Sequence, residues 1–166
     1  ALVLLPTDDE GRLCLAAVEQ QLDQLSRVQR PCLAVVATAG TTVRGAIDPL
    51  PQLADLCRQH TVWLHVDAAI GGVFALSTEH ASFMQGLDQA DSITLNPQKL
   101  LGITKASSLL LLRDGHLLNT TFATGLPYME RPTGEHHGGE VGSGTSRTRS
   151  LRVSTGCTAL LPQGEM

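Results

Sequence analysis

Trp63-Leu64-His65-Val66-Asp67-Ala68-Ala69-Ile70-Gly71-Gly72 reads as a short apolar strand that ends on a carboxylate and runs into small residues. A charged group at that point sits where open α/β sheets bind ligands, outside the carboxyl end of a strand. The chain on either side supports such a sheet. Upstream, Leu50, Leu53, Cys57 and His60 recur at spacings of three and four, which predicts a helix. Before it, Cys32 to Ala37 is an uninterrupted apolar run between Pro31 and Gly40, the pattern of a strand buried on both faces. Strand, helix and strand in that order predict crossover connections and an α/β fold, with a mainly parallel sheet and flanking helices.

Further out, Ala1 to Leu5 reads as a short buried strand. Leu13 to Leu25 reads as a packing helix, with Leu15, Val18, Leu22 and Leu25 on one face. Asp48 before Pro49 reads as an N-cap with proline at the first helical position. Ser82 to Leu87 reads as a short helix, Ser92 to Leu95 as a strand, and Ser107 to Leu112 as a further, nearly all-apolar strand. The Gly71-Gly72 pair either makes room for a ligand or forms a turn.

Two other stretches add chemistry. Thr38 to Thr42 is small and rich in hydroxyls, which allows close backbone approach and hydrogen bonding to a ligand oxygen. Asn96-Pro97-Gln98-Lys99 places one lysine where a strand meets a turn, where it can be held partly dry and nucleophilic. Asp67 and Lys99 together are the groups a pyridoxal phosphate enzyme requires, a carboxylate for the pyridine nitrogen and an amine for the aldehyde.

The 166 residues are 42% hydrophobic with a net charge of -4, one domain's length of soluble chain. The basic residues are scattered, and one Trp, one Tyr and three Phe make no base-stacking platform, so no nucleic-acid partner is indicated. Cys14, Cys32, Cys57 and Cys157 form no Cys-x-x-Cys pair, and buried thiols in a reducing compartment are expected. With no long apolar run, a cytoplasmic chain without a membrane partner is expected. His136 and His137, beside Glu135 and Glu140, are adjacent on a glycine-rich stretch and do not converge on a metal; no metal site is expected.

Taken together, Ala37-Thr38-Ala39-Gly40-Thr41-Thr42 with Gly45 and Asp48-Pro49, His65-Val66-Asp67-Ala68-Ala69 with Gly71-Gly72, and Asp91-Ser92 leading into Asn96-Pro97-Gln98-Lys99 resemble the group II pyridoxal phosphate-dependent amino-acid decarboxylases. That family includes the glutamate, aromatic amino-acid, cysteine sulfinate and diaminobutyrate enzymes. The resemblance spans residues 33 to 113 and implies part of a fold type I large domain. It implies decarboxylation of an L-amino acid with pyridoxal 5'-phosphate as cofactor, in a homodimer. By the same resemblance Lys99 bonds the cofactor aldehyde and Asp67 keeps the pyridine nitrogen protonated. Ala69 packs on the ring, Thr42 lies beside the cofactor, and Asn96 and Gln98 lie near the phosphate.

The chain departs from the family where a histidine usually precedes the lysine, because Gln98 stands there. Glutamine can still bond phosphate, but it cannot transfer a proton as histidine does. Residues 1–115 are read as a partial large domain and 116–144 as a mobile active-site loop region, in which His136 is a candidate lid group and Tyr128 a structural position. Residues 145–166 are read as an atypical tail. Two other readings fit the same residues: another fold type I enzyme, such as an aminotransferase or a desulfurase, and a non-catalytic, truncated decarboxylase-like protein.

Overall fold

The computed structural model describes residues 1–122 and 158–162. These fall into two units, 1–113 with 158–162, and 114–122. In the larger unit a six-stranded sheet runs in the order β1-β6-β2-β3-β4-β5. Its strands are β1 (Leu2–Leu5), β2 (Cys32–Thr38), β3 (Trp63–Asp67), β4 (Ser92–Leu95), β5 (Leu109–Leu112) and β6 (Thr158–Pro162). All neighbours pair in parallel except β4 and β5. The expected α/β, mainly parallel architecture is what the chain adopts. The antiparallel pair is joined across 96–108, a connection that holds one short helix of a single turn.

Helices α1 (Leu15–Arg27) and α2 (Leu50–His60) supply the core. Val18, Leu22 and Leu25 of α1 and Leu50, Leu53, Ala54 and Cys57 of α2 are buried in one cluster with Leu5, Val35, Ala37, Leu64 and Val66. Those strand residues alternate along the chain, as side chains on one face of a sheet must. The expectations that β1 is a buried strand and that β2 is buried on both faces are not met. Leu2 and Leu4 are 59% and 48% exposed while Leu5 is 4%, and in β2 Leu33 is exposed while residues 34–38 alternate between half-buried and buried. Both core helices pack on one side. β1 and β5 are the edge strands, and in β5 Leu109, Leu110 and Leu111 are all exposed.

The remaining elements differ from the sequence reading in kind more than in place. Ser82 to Leu87 is not a regular helix; the β3–β4 connection contains 3-10 segments at Gly71–Leu76, Ala81–Met84 and Leu87–Gln89. Of the three described cysteines only Cys57 is buried; Cys14 and Cys32 are half-buried. Helix α3 (Pro97–Leu100) follows β4 directly, and α4 (His116–Phe122) lies in the smaller unit. In the stretch read as an atypical tail, Thr158–Pro162 form a strand paired with both β1 and β2. Tyr128, His136, His137, Cys157 and the rest of 123–157 lie outside the described residues, as do 163–166.

Asp48 is the largest departure at a single residue. It does not cap α2, whose N-cap position is Pro49 and which has no side-chain cap. Its buried carboxylate instead accepts the backbone N–H of Leu13 and of Thr38, each at 2.6 Å. One carboxylate thus joins the approach to α1, the end of β2 and the approach to α2.

Candidate active site

β2, β3 and β4 are adjacent and parallel, so their carboxyl ends open on one edge of the sheet. β2 ends at Thr38 and delivers the loop carrying Thr42, an exposed turn residue. β3 ends at Asp67, exposed, followed by buried Ala68 and half-buried Ala69. β4 ends at Leu95, and half-buried Asn96 leads into α3 with half-buried Gln98 and exposed Lys99. All six residues singled out in the sequence therefore belong to three neighbouring strand ends. Thr38 pairs with Asp67 and Asp67 with Thr94, so the three ends are in register.

Backbone hydrogen bonds tie the ends together. Ala39 N donates to Asp67 O at 2.9 Å, Ala68 N to Thr94 O at 3.0 Å and Asn96 N to Ala69 O at 3.3 Å. The Asp67 carboxylate accepts the N–H of Ala69 at 3.1 Å, which orients it two residues past its own backbone. Gly71 N donates to Ala39 O at 3.1 Å, and a Cβ on Gly71 would strike that same carbonyl. A Cβ on Gly72 would meet Leu95 Cδ1 at 2.8 Å and Ala68 Cβ at 2.9 Å. The glycine pair thus begins a 3-10 turn and lets the loops after β2 and β3 touch; what it clears is space for protein, next to the site.

Two serines that the sequence reading passed over set the polarity of the amides. Ser108 Oγ donates to Asn96 Oδ1 at 3.1 Å, and Ser107 Oγ donates to Gln98 Oε1 at 3.5 Å. With their oxygens engaged, both amides have their NH2 groups left as donors, the polarity a phosphate requires. A carboxylate, an amine and two amide donors from adjacent strand ends fit a group that carries a pyridine nitrogen, an aldehyde and a phosphate. Lys99 is not held partly dry as expected: it is exposed, on a helix of a single turn.

Behind Asp67, the period of two places Trp63 and His65 on its face of β3. His65 Nδ1 lies 2.7 Å from Ser92 Oγ, His65 Nε2 lies 3.3 Å from Thr94 Oγ1, and Trp63 Nε1 donates to Ser92 Oγ at 2.8 Å. Burial lowers the pKa of the imidazole, and the charge of Asp67 opposes that. The sequence held a signal for this group: a polar residue at the alternate position of an otherwise apolar strand, two before the aspartate.

Among the described residues no cluster of three or more His, Cys, Asp or Glu could hold a metal ion, and no helix is long and apolar enough to cross a membrane. The family described as the pyridoxal-dependent decarboxylase conserved domain matches residues 1–145. Cysteine sulfinic acid decarboxylase of Rattus norvegicus is 42% identical over 111 residues, 67% of this chain and 22% of the relative. The crystal structure of mouse CSAD matches with TM-score 0.69 at 39% identity, over 75% of this chain and 27% of that one. The Oryza sativa TDC structure with PLP and tryptamine matches with TM-score 0.70 at 27% identity, over 77% and 26%. The chain spans about a quarter of the length of the relatives it matches. Family match and fold agree: the chain belongs to the pyridoxal-dependent decarboxylases.

Proposed function

We propose that this chain forms the central part of a pyridoxal phosphate-dependent carboxy-lyase acting on an L-amino acid. The observation that carries the reading is the meeting of Asp67, Asn96, Gln98 and Lys99 at the carboxyl ends of adjacent parallel strands, with both amide oxygens already engaged by serines. When bound, the cofactor supplies an electron sink for the pair released as carbon dioxide leaves. Lys99 would offer its amine to the cofactor aldehyde. Asp67 would keep a proton on the pyridine nitrogen. Asn96 and Gln98 would donate to the phosphate, Ala69 would pack against the ring, and Thr42 would offer a hydroxyl at the rim.

The name of the rat relative makes cysteine sulfinic acid the first substrate to screen. A cytoplasmic homodimer belongs to the same proposal and rests on the family resemblance. A second reading, a cofactor-holding chain without turnover, is favoured by Gln98, which cannot move a proton where the family usually has histidine. The deciding measurement is the visible absorption of the chain after addition of pyridoxal phosphate and removal of the excess, beside Lys99→Ala. A band present in the first and lost in the second supports the site; equal spectra overturn it. Carbon dioxide release from cysteine sulfinic acid then separates turnover from mere binding.

A further inference from the structure

On the face of the sheet opposite α1 and α2, Trp63, Ser92, His65 and Thr94 form a continuous hydrogen-bonded ladder that ends beside Asp67. Counting hydrogens gives the ladder a direction. The indole N–H can only donate, so Ser92 Oγ accepts from Trp63. Either tautomer leaves one hydroxyl hydrogen without a protein acceptor among the described residues: that of buried Ser92 if Ser92 Oγ also accepts from His65 Nδ1, or that of half-buried Thr94 if Ser92 Oγ gives its hydrogen to the ring. Stranding it on the buried serine is the costlier case. Ser92 Oγ therefore donates to Nδ1, which places the ring hydrogen on Nε2, directed at Thr94 Oγ1. The Thr94 hydroxyl hydrogen is then the last donor of the series, on the residue paired with Asp67 in the β3–β4 register.

We propose that His65 is a positioning residue for the Asp67 carboxylate, acting through Thr94: the neutral ring fixes the Thr94 hydroxyl as a donor toward Asp67. The catalytic meaning of this rests on the reading of Asp67 as partner of the pyridine nitrogen; the coupling itself does not. Protonating the ring would put a hydrogen on Nδ1, turn Ser92 into an acceptor from both sides, and set a cation beside the indole. Asp67 supplies the charge that acts on His65, since its neighbours Val36, Ser92 and Thr94 on the flanking strands carry none. Trp63 is the chain's single tryptophan, so its fluorescence reports the ladder without a label.

The test is a pH titration of Trp63 fluorescence in the whole cofactor-free chain. One transition is expected, with its midpoint below 6.5, the ordinary histidine value. His65→Gln abolishes it. Asp67→Asn moves the midpoint down by about one pH unit, the size of effect a neighbouring carboxylate exerts. Thr94→Val reduces that displacement and Thr94→Ser restores it. A midpoint that Asp67→Asn leaves unmoved overturns the proposal, and so does a displacement indifferent to Thr94→Val, which would show a through-space charge effect alone. The reading of Asp67 fails separately: with pyridoxal phosphate added, an Asp67→Asn chain whose Lys99-dependent band is unaltered would sink that reading and leave the fluorescence result standing.

Discussion

Asp48 joins three pieces of chain with one side chain. Burial raises its pKa, while the N–H groups of Leu13 and Thr38 work in the opposite direction. Asp48→Ala leaves two amide donors without their acceptor, one of them deep in the core, and each such loss costs about 1 to 3 kcal/mol. We expect the variant to lose about 2 to 4 kcal/mol in urea unfolding at neutral pH; a loss no larger than that of an ordinary surface substitution would show that water replaces the carboxylate. From the sequence, Asp48 before Pro49 looked like a helix cap, because local spacing is all a sequence displays. Its partners lie 35 and 10 residues away, and only the folded chain brings them within reach.

α2 was legible nearly to its ends, since the spacing of Leu50, Leu53 and Cys57 is the spacing of a buried helical face. Its end carries strain that the pattern does not reveal. Thr61, the C-cap residue, has φ 56 and ψ 45, a left-handed conformation unfavourable for a β-branched residue and open to glycine. Thr61→Gly should stabilise the chain by about 1 kcal/mol, read as a higher melting temperature; an unchanged or lower value would mean that the Thr61 side chain contributes more than its backbone costs. Cys57 on the same helix is 2% exposed and its thiol is pushed up to about 12, by burial first. Iodoacetamide at mildly alkaline pH should leave Cys57 unmodified in the folded chain and label it in denaturant, as peptide mapping by mass spectrometry will show. Labelling at equal rates in both states would contradict the burial.

For the molecule as a whole, half-buried His65 and buried Asp48 tie stability to pH with opposite signs. His65 has a folded pKa below its ordinary 6.5, so its contribution is complete above 6.5 and is lost as pH falls through the folded value. Asp48 has a folded pKa above its ordinary 3.8, so its contribution is complete below 3.8 and is lost as pH rises through the folded value. Unfolding free energy should therefore climb with pH up to about 6.5 in the histidine window, and His65→Gln should remove that part of the slope. A slope that survives the substitution would assign the window to another group.

The sequence by itself determined the class of fold, the order of its central elements and the residues at three strand ends, because periodicity and strand-end chemistry are local properties of the chain. It also carried the family, through motifs whose spacing reflects strand and loop lengths. Tertiary structure decided the rest: which face of the sheet α1 and α2 cover, that β4 and β5 run antiparallel, that Asp48 clasps distant segments, and that Ser107 and Ser108 turn two amides into donors. It also left Lys99 exposed where the local pattern suggested a partly dry amine. These features depend on which segments pack together, and the free energy of burial and of distant hydrogen bonds is not written in any one stretch of sequence.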